Sequence, residues 1–396
     1  MSDTPPNSIP APDATPPPAA GPASGSTPGA DAASGSVSGA DPASGSVRGA
    51  DAASGSVSGV GATSGSVSGA DPASGSVPGA DAASGAGAGA GRLAAGGVRV
   101  AAVDCGTNSI RLLIADLVGG DLVEVDRRMT IVRLGQGVDA TGAFAPEALD
   151  RVFAASADFA DVIKASGATR VRFVATSAAR DVSNRDAFFA GIEARLGVRP
   201  EIISGREEAE LSFRGATTSL DLPAPYLVAD IGGGSSELVL GDSTGVIAAE
   251  SLDIGSVRLT ERHVTTDPTT PAELAAITRD IDALLDATTV PLAEARSLIA
   301  VAGTATTVAA VALKLPEYDR TAVHHARLTA DQLRATTTWL TTSTRAERAI
   351  PAIHPGRVDV IGAGALILQR LTDRLPVNAL TVSEHDILDG TALSLA

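Results

Sequence analysis

Two short segments of this sequence carry residues suited to phosphate chemistry, and they are copies of one pattern. Asp104-Cys-Gly-Thr-Asn-Ser109 stands between the apolar runs 98–103 and 110–115. Asp230-Ile-Gly-Gly-Gly-Ser-Ser-Glu237 stands between 226–229 and 238–240. DCGTNSIRLLIAD (104–116) and DIGGGSSELVLGD (230–242) match Asp for Asp, Gly for Gly and strand for strand, 230 − 104 = 126 residues apart. Each reads as strand, tight turn, strand. A turn of Gly, Ser and Thr exposes backbone N–H groups that cradle phosphate oxygens without side-chain obstruction. Gly106, Asn108 and Ser109 of the first turn, and Gly232, Gly233, Gly234, Ser235 and Ser236 of the second, are the candidates for that task. Asp104 and Asp230, entering the turns, can hold Mg²⁺ or Mn²⁺, which take hard oxygen ligands, and Glu237 is a further candidate ligand. Blander readings stand beside these: a turn Asp bonds its own backbone, Gly233 is a hinge, and Glu237 pairs across its strand. Duplication favours a cleft with one turn on each side.

The elements that must position these turns are α/β in pattern, in two similar halves. In the first, 122–134 gives one or two antiparallel strands. Pro146 then opens a helix whose Leu149, Val152, Phe153, Ser156, Phe159, Ala160 and Ile163 form a stripe of helical period. A strand at 171–175, a helix near 186–196, a short strand at 201–203 and a helix from about 206 follow. After the second hairpin come a strand near 246–251, helices near 256–263 and 272–286, and a strand at 298–302. Helices at 305–313, 330–340 and 357–372, a strand at 379–383 and a helix from about 387 complete the pattern. Thr329 and Gln332 fit a capping box.

Composition narrows the function classes. All seven Phe, both Tyr and the only Trp of the 396 residues lie beyond residue 98. Before it, from Gly29, a decapeptide of the form GADAASGSVS recurs with only Ala and one Val as apolar content. Such units cannot bury enough area to offset backbone ordering, so the segment is expected to be a disordered tether rather than a solenoid. A net charge of −16 argues against nucleic-acid binding, although local arginines and a metal ion can reverse the sign within a cleft. One cysteine, Cys105, excludes an internal disulfide framework and reads as a small buried thiol; the five His show no metal-ligand spacing. Without a long apolar span or a secretory signal, a cytoplasmic protein with no membrane contact is expected.

Seven segments together resemble the exopolyphosphatase / guanosine pentaphosphate phosphohydrolase family, in its short actinobacterial exopolyphosphatase form. They are DCGTNSIRLLI (104–114), ATSAARD (175–181), ISGREEAELSFRG (203–215), DIGGGSSEL (230–238), AGTATT (302–307), RVDVIGAGALIL (357–368) and VSEHDILDG (382–390). The resemblance spans about 98–396. It implies two actin-like, ribonuclease H-like domains around a central cleft, domain I over 97–213 and domain II over 214–396, behind the disordered tail 1–96.

The resemblance also implies roles. Glu208, the second Glu of EEA, is the expected general base that orients or deprotonates the attacking water; otherwise Glu207, Glu208 and Glu210 simply acidify a helix start. Arg180 of ATSAAR is a phosphate clamp, since a guanidinium holds two oxygens at once, or else a solvated Arg at a helix start. Gly303 and Thr304 resemble a third phosphate-proximal loop. The expected activity is hydrolysis of the terminal phosphoanhydride of inorganic polyphosphate by metal-assisted water, releasing orthophosphate. Alternatives are hydrolysis of guanosine pentaphosphate and a non-catalytic alarmone sensor, the last disfavoured by retention of Asp104 and Glu208. Longer relatives carry an additional helical C-terminal region, so short chains and weak processivity are expected here, with a homodimer possible by the same likeness.

Overall fold

Each hairpin founds one sheet. The computed structural model describes residues 97–396 except 181 and 219; the repeat segment expected to be disordered, 1–96, lies outside the described residues. The first sheet comprises β1 (Val98–Cys105), β2 (Ser109–Val118), β3 (Asp121–Ile131), β4 (Arg170–Ala175) and β5 (Glu201–Ile202), in the order β3-β2-β1-β4-β5. With it go α1 (Val138–Thr141), α2 (Pro146–Ser166), α3 (Ser177–Arg180) and α4 (Arg185–Leu196). Helix α5 (Gly205–Thr217) leads to β6 (Tyr226–Ile231), β7 (Ser236–Asp242) and β8 (Gly245–Leu252), then α6 (Ser256–His263) and α7 (Pro271–Ala287). Next come β9 (Ser297–Val301), α8 (Ala302–Ala312), α9 (Arg320–Val323), β10 (Arg327–Thr329), α10 (Ala330–Thr342) and α11 (Arg345–Arg348). The chain continues through α12 (Ile361–Thr372), β11 (Ala379–Val382) and α13 (Ile387–Leu393).

The second sheet runs β10-β11-β9-β6-β7-β8. Its antiparallel β6–β7–β8 with β9 parallel to β6 repeats β1–β2–β3 with β4 parallel to β1. This is the ribonuclease H-like sheet used twice, the actin-like arrangement. No helix among the described residues is long and apolar enough to cross a membrane.

Strand alternation decides what covers each face, because successive side chains point to opposite sides. In the first sheet Ala101, Val103, Leu112 and Ile114 face α2 and α4, joined by Phe173 and Phe188. Val100, Ala102, Leu113 and Ala115 face the other way, against Leu388, Ala392 and Leu393 of α13. In the second sheet Leu227, Ala229 and Leu298 face the large helical core, while Val228, Val239, Ile299 and Val301 face Ala209, Phe213 and Ala216 of α5. The chain therefore crosses over: α5 roofs the second sheet, and α13 returns to roof the first. A single cut at 213/214, as drawn from the sequence, falls inside α5.

These two roofing helices meet at glycines. A Cβ on Gly215 would collide with the backbone carbonyl of Asp386, and one on Gly390 with that of Leu211. Val174, Ile203, Leu211 and Ile387 seal the junction. The structure departs from the sequence expectation in short pieces. The helix expected over 357–372 begins at Ile361, because Pro355–Arg357 is a separate 3₁₀ turn. The one-turn helices α1, α3, α9 and α11 and the three-residue β10 are too short for periodicity to reveal.

Candidate active site

The same alternation aims the entering aspartates. Asp104 shares its face with Val100 and Ala102 and so points toward α13, and Asp230 shares its face with Val228 and points toward α5. Both are buried. Arg111 lies directly opposite Asp104 in the β1–β2 register, and its Nε and Nη2 both donate to Asp104 Oδ2, at 3.0 and 2.7 Å. Asp230 accepts a hydrogen bond from Ser212 of α5 at 2.8 Å.

Between the turns lies a cleft. Asp104, Gly106, Asn108 and Ser109 line it from the first half, Glu208 from α5, and Asp230, Gly232, Gly233 and Ser235 from the second half. Gly303 and Thr304, where α8 starts, line it as well. Four expected residues are not among those lining it. Gly234 faces an adjoining hollow with Thr107 and Ser177. Ser236 Oγ donates to the Ile254 carbonyl at 2.7 Å. Glu237 is buried behind the second turn, its Oε1 accepting from Ser235 and Ser251 at 2.7 Å each. Arg180 ends the one-turn helix α3, pairs with Glu208 Oε2, and donates from Nε to the Ile203 carbonyl at 3.2 Å. It stands at the end of its helix rather than the start, and its partly exposed guanidinium holds a carboxylate.

Glu208 owes its place to α5. Ser204 caps that helix by accepting from Glu207 N at 3.1 Å, so the first turn projects Glu207 outward to Arg172 and Glu208 inward to the cleft. Glu208 is 7% exposed. Burial, then the neighbouring Glu237 charge, pushes its carboxyl well above the ordinary range, against the pull of Arg180. Burial and Glu237 likewise push Asp230 up to about 8. Burial raises Asp104 despite Arg111, and raises Glu237 despite its serine donors. Four carboxylates thus crowd one desolvated region with less positive charge than they can use.

That imbalance bears on a metal ion. Asp104 Oδ1 is, among the described residues, the one buried side-chain oxygen or nitrogen without a hydrogen-bond partner. No three His, Cys, Asp or Glu side chains among those residues converge as a preformed metal centre. A bare hard oxygen without a full protein cage fits Mg²⁺, which typically takes one or two carboxylates plus substrate phosphates.

Several cleft residues escaped the sequence reading. Thr107, Arg111, Thr176, Ser177, Ser256 and Arg357 all line it. Arg357 packs on Gly303, where any Cβ would overlap its guanidinium, and donates only a 3.3 Å hydrogen bond to Thr307 Oγ1. Burial lowers its pKa, and among the described residues no carboxylate pairs with it. Ala302, beside it, holds the left-handed backbone at φ +63°, which a non-glycine residue adopts only under constraint. The signals were present: Arg111 sits inside the first hairpin motif, and Arg357 opens the segment RVDVIGAGALIL.

With this geometry in hand, likenesses to known proteins become informative. Residues 113–396 match the Ppx/GppA phosphatase family. Exopolyphosphatase 2 of Mycobacterium tuberculosis is 51% identical over 315 residues, covering 75% of this chain and 98% of that protein. A crystal structure of an exopolyphosphatase-like protein is 45% identical with a TM-score of 0.74, covering 76% of this chain and 98% of the other. The crystal structure of an exopolyphosphatase from Cytophaga hutchinsonii is 27% identical with a TM-score of 0.70, covering 75% and 98% respectively.

Proposed function

The chain belongs to the Ppx/GppA phosphatase family, and from that premise we propose that it is an exopolyphosphatase, cleaving the terminal phosphoanhydride of inorganic polyphosphate and releasing orthophosphate. The observation that carries this is the position of Glu208, a buried carboxylate on the wall of a cleft floored by two phosphate-sized turns.

In this reading the N–H groups of Gly106 and Gly232 close the two turns, those of Thr107, Asn108 and Gly233–Ser235 hold the oxygens of the terminal phosphate, and Arg357 supplies a cation that no carboxylate among the described residues pairs with. Thr304 and Ser109 add hydroxyls at the rim. Glu208 accepts the proton of the water that attacks phosphorus, while Arg180 fixes one of its oxygens and leaves the other for that water. Positioning and electrostatics supply most of the rate in phosphoryl transfer, so a rigid site of this kind suffices without a covalent intermediate. Mg²⁺ or Mn²⁺ at Asp104 and Asp230 would, when bound, offset phosphate charge and relieve the repulsion among the carboxylates. Glu237, engaged by two serines, supports the Asp230 side of that site from behind.

The test is phosphate release with Mg²⁺ from short polyphosphate, long polyphosphate and guanosine pentaphosphate, each with wild type and Glu208→Gln. Polyphosphate turnover that the substitution removes supports the proposal. Turnover of the nucleotide alone would assign the site to guanosine pentaphosphate. Binding without turnover of any of the three would make it a sensor.

A further inference from the structure

The Arg111 guanidinium is shared between the two halves of the molecule. Its Nε and Nη2 converge on one oxygen of Asp104, and its Nη1 reaches Asp386, the residue that caps α13. A guanidinium facing a single carboxylate prefers the two-pronged arrangement that occupies both oxygens. Here it does not take it: Asp104 Oδ2 receives both donors, and Oδ1, on a residue that lines the cleft, stays buried without a hydrogen-bond partner.

Asp386 is held in place to exert this pull. Its Oδ1 accepts from Leu388 N at 3.0 Å, and its own N–H donates to Asp389 Oδ2 at 3.0 Å, so both ends are fixed by the cap. Its carbonyl lies against Gly215 of α5, the helix that carries Glu208. Asp386 is 3% exposed and is not among the residues lining the cleft.

We propose that Asp386 is a positioning residue for the metal site. By holding one arm of Arg111, it prevents the guanidinium from closing over both oxygens of Asp104 and keeps Oδ1 open to a divalent cation. This rests on the reading of Asp104 as a metal contact. Without the Asp386 charge, Arg111 is free to rotate onto Asp104 alone and competes with the cation for Oδ1. Metal binding to the first half then depends on the cap of a helix contributed by the second.

The experiment measures Mn²⁺ binding to the full chain, without substrate, from the loss of the free-ion electron paramagnetic resonance signal. Asp386→Asn keeps the capping oxygen for Leu388 N and removes the charge. Asp389→Asn, in the same cap but without contact to Arg111, controls for helix loosening, and thermal unfolding of each variant reports the fold. We expect Asp386→Asn to weaken Mn²⁺ binding by about tenfold or more, the usual scale for a group that orients a metal ligand. Asp389→Asn should bind as wild type does, and Asp386→Glu should recover part of the affinity. Kinetics should agree, with a higher Mg²⁺ requirement for Asp386→Asn and little change in kcat once the metal saturates. Wild-type affinity in Asp386→Asn, while Asp104→Asn loses binding, would overturn the positioning role alone. Unchanged binding in Asp104→Asn, or no binding by wild type, would overturn the metal reading of Asp104 and this inference with it.

Discussion

Arg111 and Glu237 occupy the same place in the two hairpins and carry opposite charges. Arg111 stands opposite Asp104 in the β1–β2 register, and Glu237 stands opposite Asp230 in the β6–β7 register. The duplication is therefore symmetric in backbone and antisymmetric in charge at this position. One entering aspartate is paired with a cation, while burial, and then the second buried acid it faces, push the other up to about 8. The site is polarised across its own pseudo-repeat, with the surplus negative charge on the second half.

Glu208 tests the chemistry directly. Glu208→Gln keeps the shape and removes the proton acceptor, so kcat should fall by about 10²–10⁴-fold with KM changed only a few-fold. Steady-state phosphate release from polyphosphate measures both. A collapse of affinity with turnover retained would instead make Glu208 a binding group.

The two neighbours of Glu208 push its proton affinity in opposite directions, and kinetics should separate them. Glu237→Gln removes a repulsive charge and should move the acid limb of the kcat/KM profile to lower pH. Arg180→Ala removes an attractive one and should move it to higher pH, with activity partly recovered in alkaline buffer. A pH–rate profile of each variant checks the sign, and shifts in the same direction would mean that another group controls the limb.

Stability should carry the same signature. An acid whose folded-state pKa lies above its unfolded value binds more protons in the folded state, so its contribution is lost as pH rises through the folded value. For Asp230 that window extends upward from the ordinary carboxylate range to about 8. Metal-free protein should accordingly melt at a lower temperature at about pH 8.5 than at about pH 7, and Mg²⁺ should stabilise it more at the higher pH. Calorimetry in chelator, then with Mg²⁺, reads both; a melting temperature that rises over this interval would count against the self-repelling cluster.

Gly303 and Arg357 should behave as one unit. A Cβ at residue 303 would occupy the space of the Arg357 guanidinium. Gly303→Ala should raise KM by about the same factor as Arg357→Met, on the order of tenfold or more for loss of a charge-assisted phosphate contact. The double variant should be little worse than either single one, a non-additivity that a double-mutant cycle measures.

The sequence exposed whatever was local and missed what the fold assembles from afar. Asp104, Asp230 and the glycine turns were legible because strand, turn and strand lie together in the chain, and the second copy argued against chance. Glu208 was legible through its motif and the acidic first turn of its helix, whereas the Ser204 cap appears only in the structure. The partner of Arg180 was not legible, because α3 is a single turn and the contact to α5 depends on how β4 and β5 pair. Arg111 looked like one polar position in an apolar strand. Its chemistry emerges only when Asp386 arrives on the opposite side, and no periodicity announces that the α13 cap returns to the first sheet. Arg357 was hidden by the expectation of a continuous helix where the chain instead makes a 3₁₀ turn.

The return of α13 also bears on how the protein is made. During synthesis β1 and β2 emerge early, yet one face of their sheet, including Val100, Leu113 and Ala115, is covered by residues translated almost a whole folded region later. Until then the nascent chain presents a bare apolar sheet surface of the kind that aggregates or recruits chaperones. The first half is thus begun well before the segment that covers it, and that segment also brings the Asp386 carboxylate to Arg111. Asp104 and Ser109, which line the cleft, therefore stand on a sheet whose second face is covered only once the α13 segment has been made.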